Sequence, residues 1–196
     1  MFNNSDELKL HIFRNLGNLL RHTNIDDIST KRICEQSHVS RQTFYRHFQD
    51  KYGVVNWHFN ILAENTLRRV GRTLTWEQAH RQLFTRMYDE RSIYKYAHIS
   101  KDSASLSNFS YRSTKDMYVE TLLKYKNVCP TKSVLFQADA VALFCTQLTT
   151  KWCNDGMLET AEEFTLLVDE VIPQQAKLLF EQNLPVLQRS ENDCIW

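Results

Sequence analysis

Residues 29–51 read STKRICEQSHVSRQTFYRHFQDK, from Ser29 to Lys51, and this stretch decides how the chain is understood. Ser29 precedes a short helical run, Thr30 to Gln36, with Ile33 and Cys34 as its inward positions. Ser37-His38-Val39 interrupts it after about two turns, and Ser40 caps a second run from Arg41 to His47 or Phe48. Two short helices joined by a three-residue turn form a helix-turn-helix, whose second helix can enter a major groove. At 100° per residue, Phe44 and Phe48 share one face, with Val39 just ahead to join them. The opposite face presents Gln42 and Arg46, flanked by Arg41, Thr43 and Tyr45, and holds no aliphatic residue.

Side-chain chemistry assigns the roles. Gln42 can bond an adenine bidentately, Arg46 can bond guanine O6/N7, and the Thr43 methyl can touch a thymine methyl. Tyr45, Thr43, Lys31 and Lys51 suit phosphate contacts, which position without specifying. Ser29 and Ser40 start helices whose free backbone N–H groups can also hold phosphate oxygens. Patterning alone leaves a second possibility open, a solvated helical hairpin whose charges do nothing.

Outward from this stretch the chain reads as helix throughout. A first helix is expected from about Ser5 to Arg21, with Leu8, Ile12, Leu16, Leu19 and Leu20 in a stripe. Thr23 to Ile28 is a polar connector with Ile25 and Ile28 as apolar anchors. Asp50 caps a longer helix reaching about Arg69. Thr75 caps another through Glu90, a short one spans Arg91 to Ser100, and a further helix spans Ser107 to Lys126, with a loop at residues 101–105. Two long helices follow, at about 131–155 and 160–183, the second expected to kink at Pro173. The first of them also carries Phe136, Leu143 and Phe144 on its far side, so both of its faces need cover. A symmetric pairing of this helix pair with its copy would supply that cover.

Composition agrees. The 196 residues hold only 4 Gly and 3 Pro, too few for the turns of a sandwich or barrel. No run approaches the length of a membrane span, and the first residues lack the regions of a signal peptide. Five cysteines, Cys34, Cys129, Cys145, Cys153 and Cys194, form no C-x-x-C pair, which argues against a zinc site or disulfide framework and for a cytoplasmic location. Cys145 and Cys153 read as small core residues. The net charge is +1, yet residues 1–72 hold 11 Lys+Arg against 7 Asp+Glu, and the remaining residues hold 13 against 16. A basic head on an acidic body directs the head toward phosphate.

The stretch Ile33 to Phe48, followed by Asp50-Lys51, resembles the DNA-binding signature of TetR-family transcriptional regulators, roughly I-A-x-x-A-G-V-S-x-x-T-F-Y-x-H-F, a short gap and a lysine. Thr43-Phe44-Tyr45-Arg46-His47-Phe48 carries the most specific part. With no glycine in the connector, with Arg41 to Tyr45 as they stand, and with Trp57, the chain is similar to the branch that includes dihydroxyacetone-kinase regulators. The resemblance implies an all-α chain, with a three-helix DNA-binding head and a larger helical domain for ligand binding and dimerisation. It places DNA contacts on Ser29, Arg41, Gln42, Thr43, Tyr45, His47 and Lys51. Two positions depart from the pattern. Ser37-His38 replaces Ala-Gly, putting a histidine where positive φ is needed, and Cys34 replaces Ala.

The expected division is a head at 1–50, a connecting helix at about 50–71 and a body at 72–196. In the body Trp76, Phe84, Tyr88, Phe109, Tyr118 and Trp152 are candidates to line an apolar effector pocket. No metal is expected, since His80 and His98 lack partners at ligand spacing. No cofactor is expected either, and no G-x-S-x-G, phosphate loop or H-E-x-x-H points to an enzyme. The expected function is a homodimeric, ligand-responsive repressor on a pseudo-palindromic double-stranded DNA operator. A coactivator working through another protein, and a small helical enzyme, stand as alternatives.

Overall fold

A computed structural model describes residues 4–21, 23–126, 128–129 and 131–181. The expected end of the last helix at 183, and Cys194, lie outside the described residues. The secondary structure of those described is helical, with no strand among them.

The head holds α1 (Asn4–Leu20), α2 (Thr30–Gln36) and α3 (Arg41–His47), and α4 (Lys51–Asn65) leads out of it. Side-chain caps set these starts. Ser29 Oγ accepts from Arg32 N, Ser40 Oγ from Thr43 N and Asp50 Oδ1 from Gly53 N, each satisfying an amide that the helix leaves without a partner. Ile12, Phe13, Leu16 and Leu20 of α1 are buried in the same core as Ile25, Ile28, Ile33, Cys34 and Phe44. Cys34 fits as a small core residue. The connector is a single 3₁₀ turn, Ile25–Asp27, held down by its two isoleucines.

The turn between α2 and α3 adopts the conformation that the departure from glycine foretold. His38 has φ +53°, its N–H bonds Glu35 O, and Val39 N–H bonds Cys34 O, which closes a Schellman motif. His11 Nε2 donates to the Ser37 carbonyl at 3.0 Å, tying the turn to α1. α8 ends in the same motif, but with Gly156 at φ +96°.

The body comprises α5 (Trp76–Asp89), α6 (Arg91–Ala97), α7 (Leu106–Glu120), α8 (Lys132–Asn154), α9 (Ala161–Val171) and α10 (Gln174–Glu181). Capping boxes open α5 (Thr75 with Gln78) and α9 (Thr160 with Glu163). α7 packs along α8, α5 along α9, and α4 reaches from the head to α7. α1 meets α6 closely enough that a Cβ on Gly17 would lie 2.5 Å from Ile93 Cδ1.

Four helices stop short of expectation, among them α6, which ends at Ala97 instead of Ser100. α4 ends at Asn65, where Thr66 Oγ1 bonds back to Leu62 O and a 3₁₀ turn, Leu67–Arg69, buries Leu67. α7 gives way after Glu120 to a π-helical turn, Thr121–Tyr125, that buries Thr121 and Leu122. Pro173 ends α9 where a kink was expected. Ile172 before it is extended, with ψ 123°, because the proline ring disfavours the helical region for its predecessor. Cys129 is disulfide-bonded, which corrects the expectation of a chain without disulfides, while Cys34, Cys145 and Cys153 are free and buried.

Candidate nucleic-acid interface and effector cavity

The recognition face stands on an aromatic base. Phe44 packs on Phe48 at 5.7 Å between ring centroids, and Phe48 meets Trp57 of α4 at 6.0 Å. This anchors α3 on its inner side. Arg41, Gln42, Tyr45 and Arg46 then point outward and are exposed. Tyr45 is 52% exposed although its ring touches Phe44 edge-on, so the hydroxyl end is free to reach outward. Ser40 caps α3 and also donates to Thr43 Oγ1 at 2.9 Å, which fixes the Thr43 side chain beside that face. The structure therefore gathers five of the expected contacts, Arg41, Gln42, Thr43, Tyr45 and Arg46, around one short helix.

The other expected contacts sit differently. Ser29 is exposed at the start of α2. Lys31 is exposed and lies 3.8 Å from Glu35 one turn on, a weak surface pair. Lys51 Nζ donates to the Asp26 carbonyl at 2.6 Å and lies over the Tyr52 ring, so its charge is tied to the connector. His47 turns toward α1: its Nδ1 is 3.4 Å from Ser5 Oγ, and its Nε2 is buried without a partner among the described residues. Burial, and then the neighbouring Arg46 and Lys9, hold His47 below the usual histidine range. It braces the head more than it faces outward.

Head and body are stitched together at Tyr52. Its hydroxyl donates to Asp26 Oδ1 at 2.7 Å and accepts from Ser100 Oγ at 3.4 Å, and Asn56 Nδ2 donates to the Ala104 carbonyl at 2.9 Å. Hydrogen bonds from Ser100 and Tyr52 hold the Asp26 carboxyl below its ordinary value. Deeper at the same junction, His58 stacks on Phe13 at 3.8 Å and shares a 2.9 Å hydrogen bond with Tyr94. Burial pushes His58 down to about 4.

Inside the body a small cavity of about 20 Å³ lies between α4, α5, α7, α8 and the end of α6. Phe59, Leu83 and Phe84 form apolar wall, and His80, His98, Ser110, Thr114, Tyr118, Thr146 and Thr149 supply polar atoms. Of the six aromatic candidates, Phe84 and Tyr118 line it. The rest pack as core or at its edge. Trp76 lies on His80 at 4.2 Å, Trp152 stacks on Phe164 at 4.3 Å, Tyr88 stacks on Trp152 and Phe109 meets Phe59 edge-on. Apart from Tyr118, the polar lining went unnoticed in the sequence because its residues come from four segments. Its one signal was Ser110 and Thr114, four apart on one helix and both buried.

The tautomer of His80 follows from its partners. Nδ1 faces the Trp76 carbonyl at 2.8 Å and must donate, so Nε2 accepts from the Tyr118 hydroxyl at 3.0 Å. His98 shares Nδ1 with Thr150 Oγ1 at 3.3 Å, and its Nε2 is buried with no partner among the described residues. Burial holds both rings neutral, pushing each down to about 4. Among the described residues no cluster of His, Cys, Asp or Glu is arranged to hold a metal.

The model for "Bacterial regulatory proteins, tetR family" matches residues 18–56, and the model for "Transcriptional regulator C-terminal region" matches residues 74–174, more than half of the chain. The chain belongs to the TetR family. It is thus a transcriptional regulator with a DNA-binding helix-turn-helix head and a helical C-terminal region. Two solved structures share the fold. The dihydroxyacetone kinase operon activator DhaS is 17% identical with a TM-score of 0.60, over 89% of this chain and 98% of its own. The TetR-family repressor AlkX from Dietzia sp. strain DQ12-45-1b, implicated in biodegradation of n-alkanes, is 12% identical with a TM-score of 0.52, over 87% and 98%. No curated protein matches the sequence. Among the described residues, no helix is long and apolar enough to cross a membrane.

Proposed function

We propose that this TetR-family regulator acts as a cytoplasmic homodimeric repressor that occupies a pseudo-palindromic operator and leaves it when a small molecule enters the body. The reading rests on the outward face of α3, where Gln42 and Arg46 stand exposed between Arg41 and Tyr45 on an aromatic base. Gln42 and Arg46 read base edges, Tyr45 and Thr43 hold phosphates, and Ser29, Lys31 and Ser40 add backbone contacts. Lys51 joins them by exchanging the Asp26 carbonyl for a phosphate. Head, connecting helix and body divide near residues 50 and 71.

Dimerisation runs through α8 and α9. Phe136 is 71% exposed, and Leu143, Phe144, Leu166, Leu167 and Val171 are also exposed on this pair, more apolar surface than water-facing helices ordinarily carry. The pairing sets the two copies of α3 about 34–36 Å apart, one turn of DNA. The effector enters the cavity near His98. Ser100, two residues on, bonds Tyr52, so a shift of this segment reaches Asp26 and the connector before α2.

Titrating the protein against its own upstream DNA at several salt concentrations tests the proposal, with footprinting at saturation. Two protected half-sites one turn apart, and log K falling steeply with log salt, are expected. Gln42→Ala should change sequence preference, and Tyr45→Ala should weaken all sequences alike. Equal, weak binding to scrambled DNA at every salt would overturn it.

A further inference from the structure

The cavity in the body has a chemistry of its own, and it selects a class of ligand. None of its lining residues is Asp, Glu, Lys or Arg, and burial keeps both of its histidines neutral. A charged occupant would lose its hydration and find no opposite charge, which makes ions poor guests. The walls combine apolar ring and aliphatic surface with hydroxyls and imidazole nitrogens.

Two of the Ser/Thr hydroxyls are committed as donors. Ser110 Oγ–H goes to the Ser107 carbonyl at 3.1 Å, and Thr149 Oγ1–H goes to the Cys145 carbonyl at 2.8 Å. Their remaining lone pairs can only accept. His80 and Tyr118 satisfy one another. His98 is the exception: the residue is 3% exposed, it lines the cavity, and its Nε2 has no partner among the described residues. A buried ring nitrogen left unbonded carries a cost that a guest would remove. A guest O–H can meet these acceptors, and a hydroxyl can bond His98 Nε2 in either tautomer, as donor or as acceptor.

We infer that this cavity is a binding site for a small, uncharged, hydroxyl-bearing molecule, with its hydroxyl on His98 Nε2 and its carbon against Phe59, Leu83 and Phe84. The inference deepens the proposed effector role of the body and rests on that reading for its regulatory meaning. As it stands the cavity admits roughly one water-sized group, so a guest of two to three heavy atoms needs the lining to give slightly. Guests of that size bind in the millimolar range at best.

The full-length protein, carrying ¹⁵N-histidine, is titrated separately with ethanol, acetonitrile, formate and methylammonium, probes of similar size. The readout is the His98 Nε2 resonance, assigned by its loss in His98→Gln, with operator affinity measured on the same samples. Ethanol should shift that resonance saturably at millimolar to tens of millimolar concentration, and the other three should not. Thr114→Val, which keeps the shape of the lining, should weaken the response about two- to tenfold; it serves as the second variant where His98→Gln does not fold. Saturation by ethanol alone supports the inference whatever operator affinity does, and unchanged affinity then counts against the effector role only. No saturable shift, an equal shift with acetonitrile or either ion, or an unaltered response in Thr114→Val overturns the inference. Loss of operator binding without a His98 shift does the same, while leaving the repressor reading intact.

Discussion

The outer face of α3 and the cavity of the body are both polar surfaces on helices, and they solve opposite problems. On α3, Arg41, Gln42, Tyr45 and Arg46 are exposed. Their desolvation is deferred until a partner arrives. In the cavity the polar side chains are buried, none is Asp, Glu, Lys or Arg, and the Ser110, Tyr118 and Thr149 hydroxyls bond within the protein. The contrast shows how one helical chain can present charge to a polyanion at one end and exclude charge at the other. The join between the two is also polar, through Asp26, Tyr52 and Ser100.

Acid should separate the two surfaces most strongly. His58, His80 and His98 have folded-state values of about 4, below the ordinary 6.5. Between those limits the unfolded chain binds protons that the folded one refuses, so stability falls as pH drops from about 6.5 toward 4. Each histidine contributes up to about 1.4 kcal/mol per pH unit, or about 4 kcal/mol per unit for three. Denaturant unfolding at pH 7, 6 and 5 checks this, and a flat profile would break the contrast. The next largest effect is expected in the head. Phe44→Ala removes a fully buried ring and should cost about 3–5 kcal/mol and abolish operator binding. Fluorescence of Trp76 and Trp152 reports whether the body stays folded; joint loss would show that the α1–α6 contact welds the two regions.

Smaller changes sharpen the picture of the join and the turn. Tyr52→Phe keeps the ring and deletes the bond to Asp26, so stability should fall by about 1 kcal/mol. The Asp26 carboxyl should then titrate nearer its ordinary value, which an NMR titration reads directly. His38→Gly relieves a left-handed histidine and should gain up to about 1 kcal/mol, partly offset by the freer unfolded chain. A loss of stability on that substitution would mean that the exposed His38 side chain makes a contact worth more than the strain.

Much of this protein was decided locally and could be read without coordinates. The bounds of α2 and α3 follow from Ser29 and Ser40, because an N-cap needs only a side chain and an amide three residues on. The outward set on α3 follows from helical periodicity and from Phe44 turning inward. The left-handed His38 was marked by its place in a turn that elsewhere takes glycine. Tertiary structure decided the rest. Pro173 ended α9 because Ile172 was free to extend and bury itself, an outcome that competes with kinking only once a core exists to receive it. His47 was turned to α1, and Lys51 to Asp26, by neighbours distant in sequence. The cavity draws on six segments, so no single stretch encodes it; of the six aromatic candidates four pack into the core or at the cavity's edge, and histidines and hydroxyls join Phe84 and Tyr118 in lining the space. The sequence by itself determined the helices and the outward face of α3, since both depend on spacing along one element. Only the fold decided which polar groups are left dry, because burial is a property of what packs across the chain.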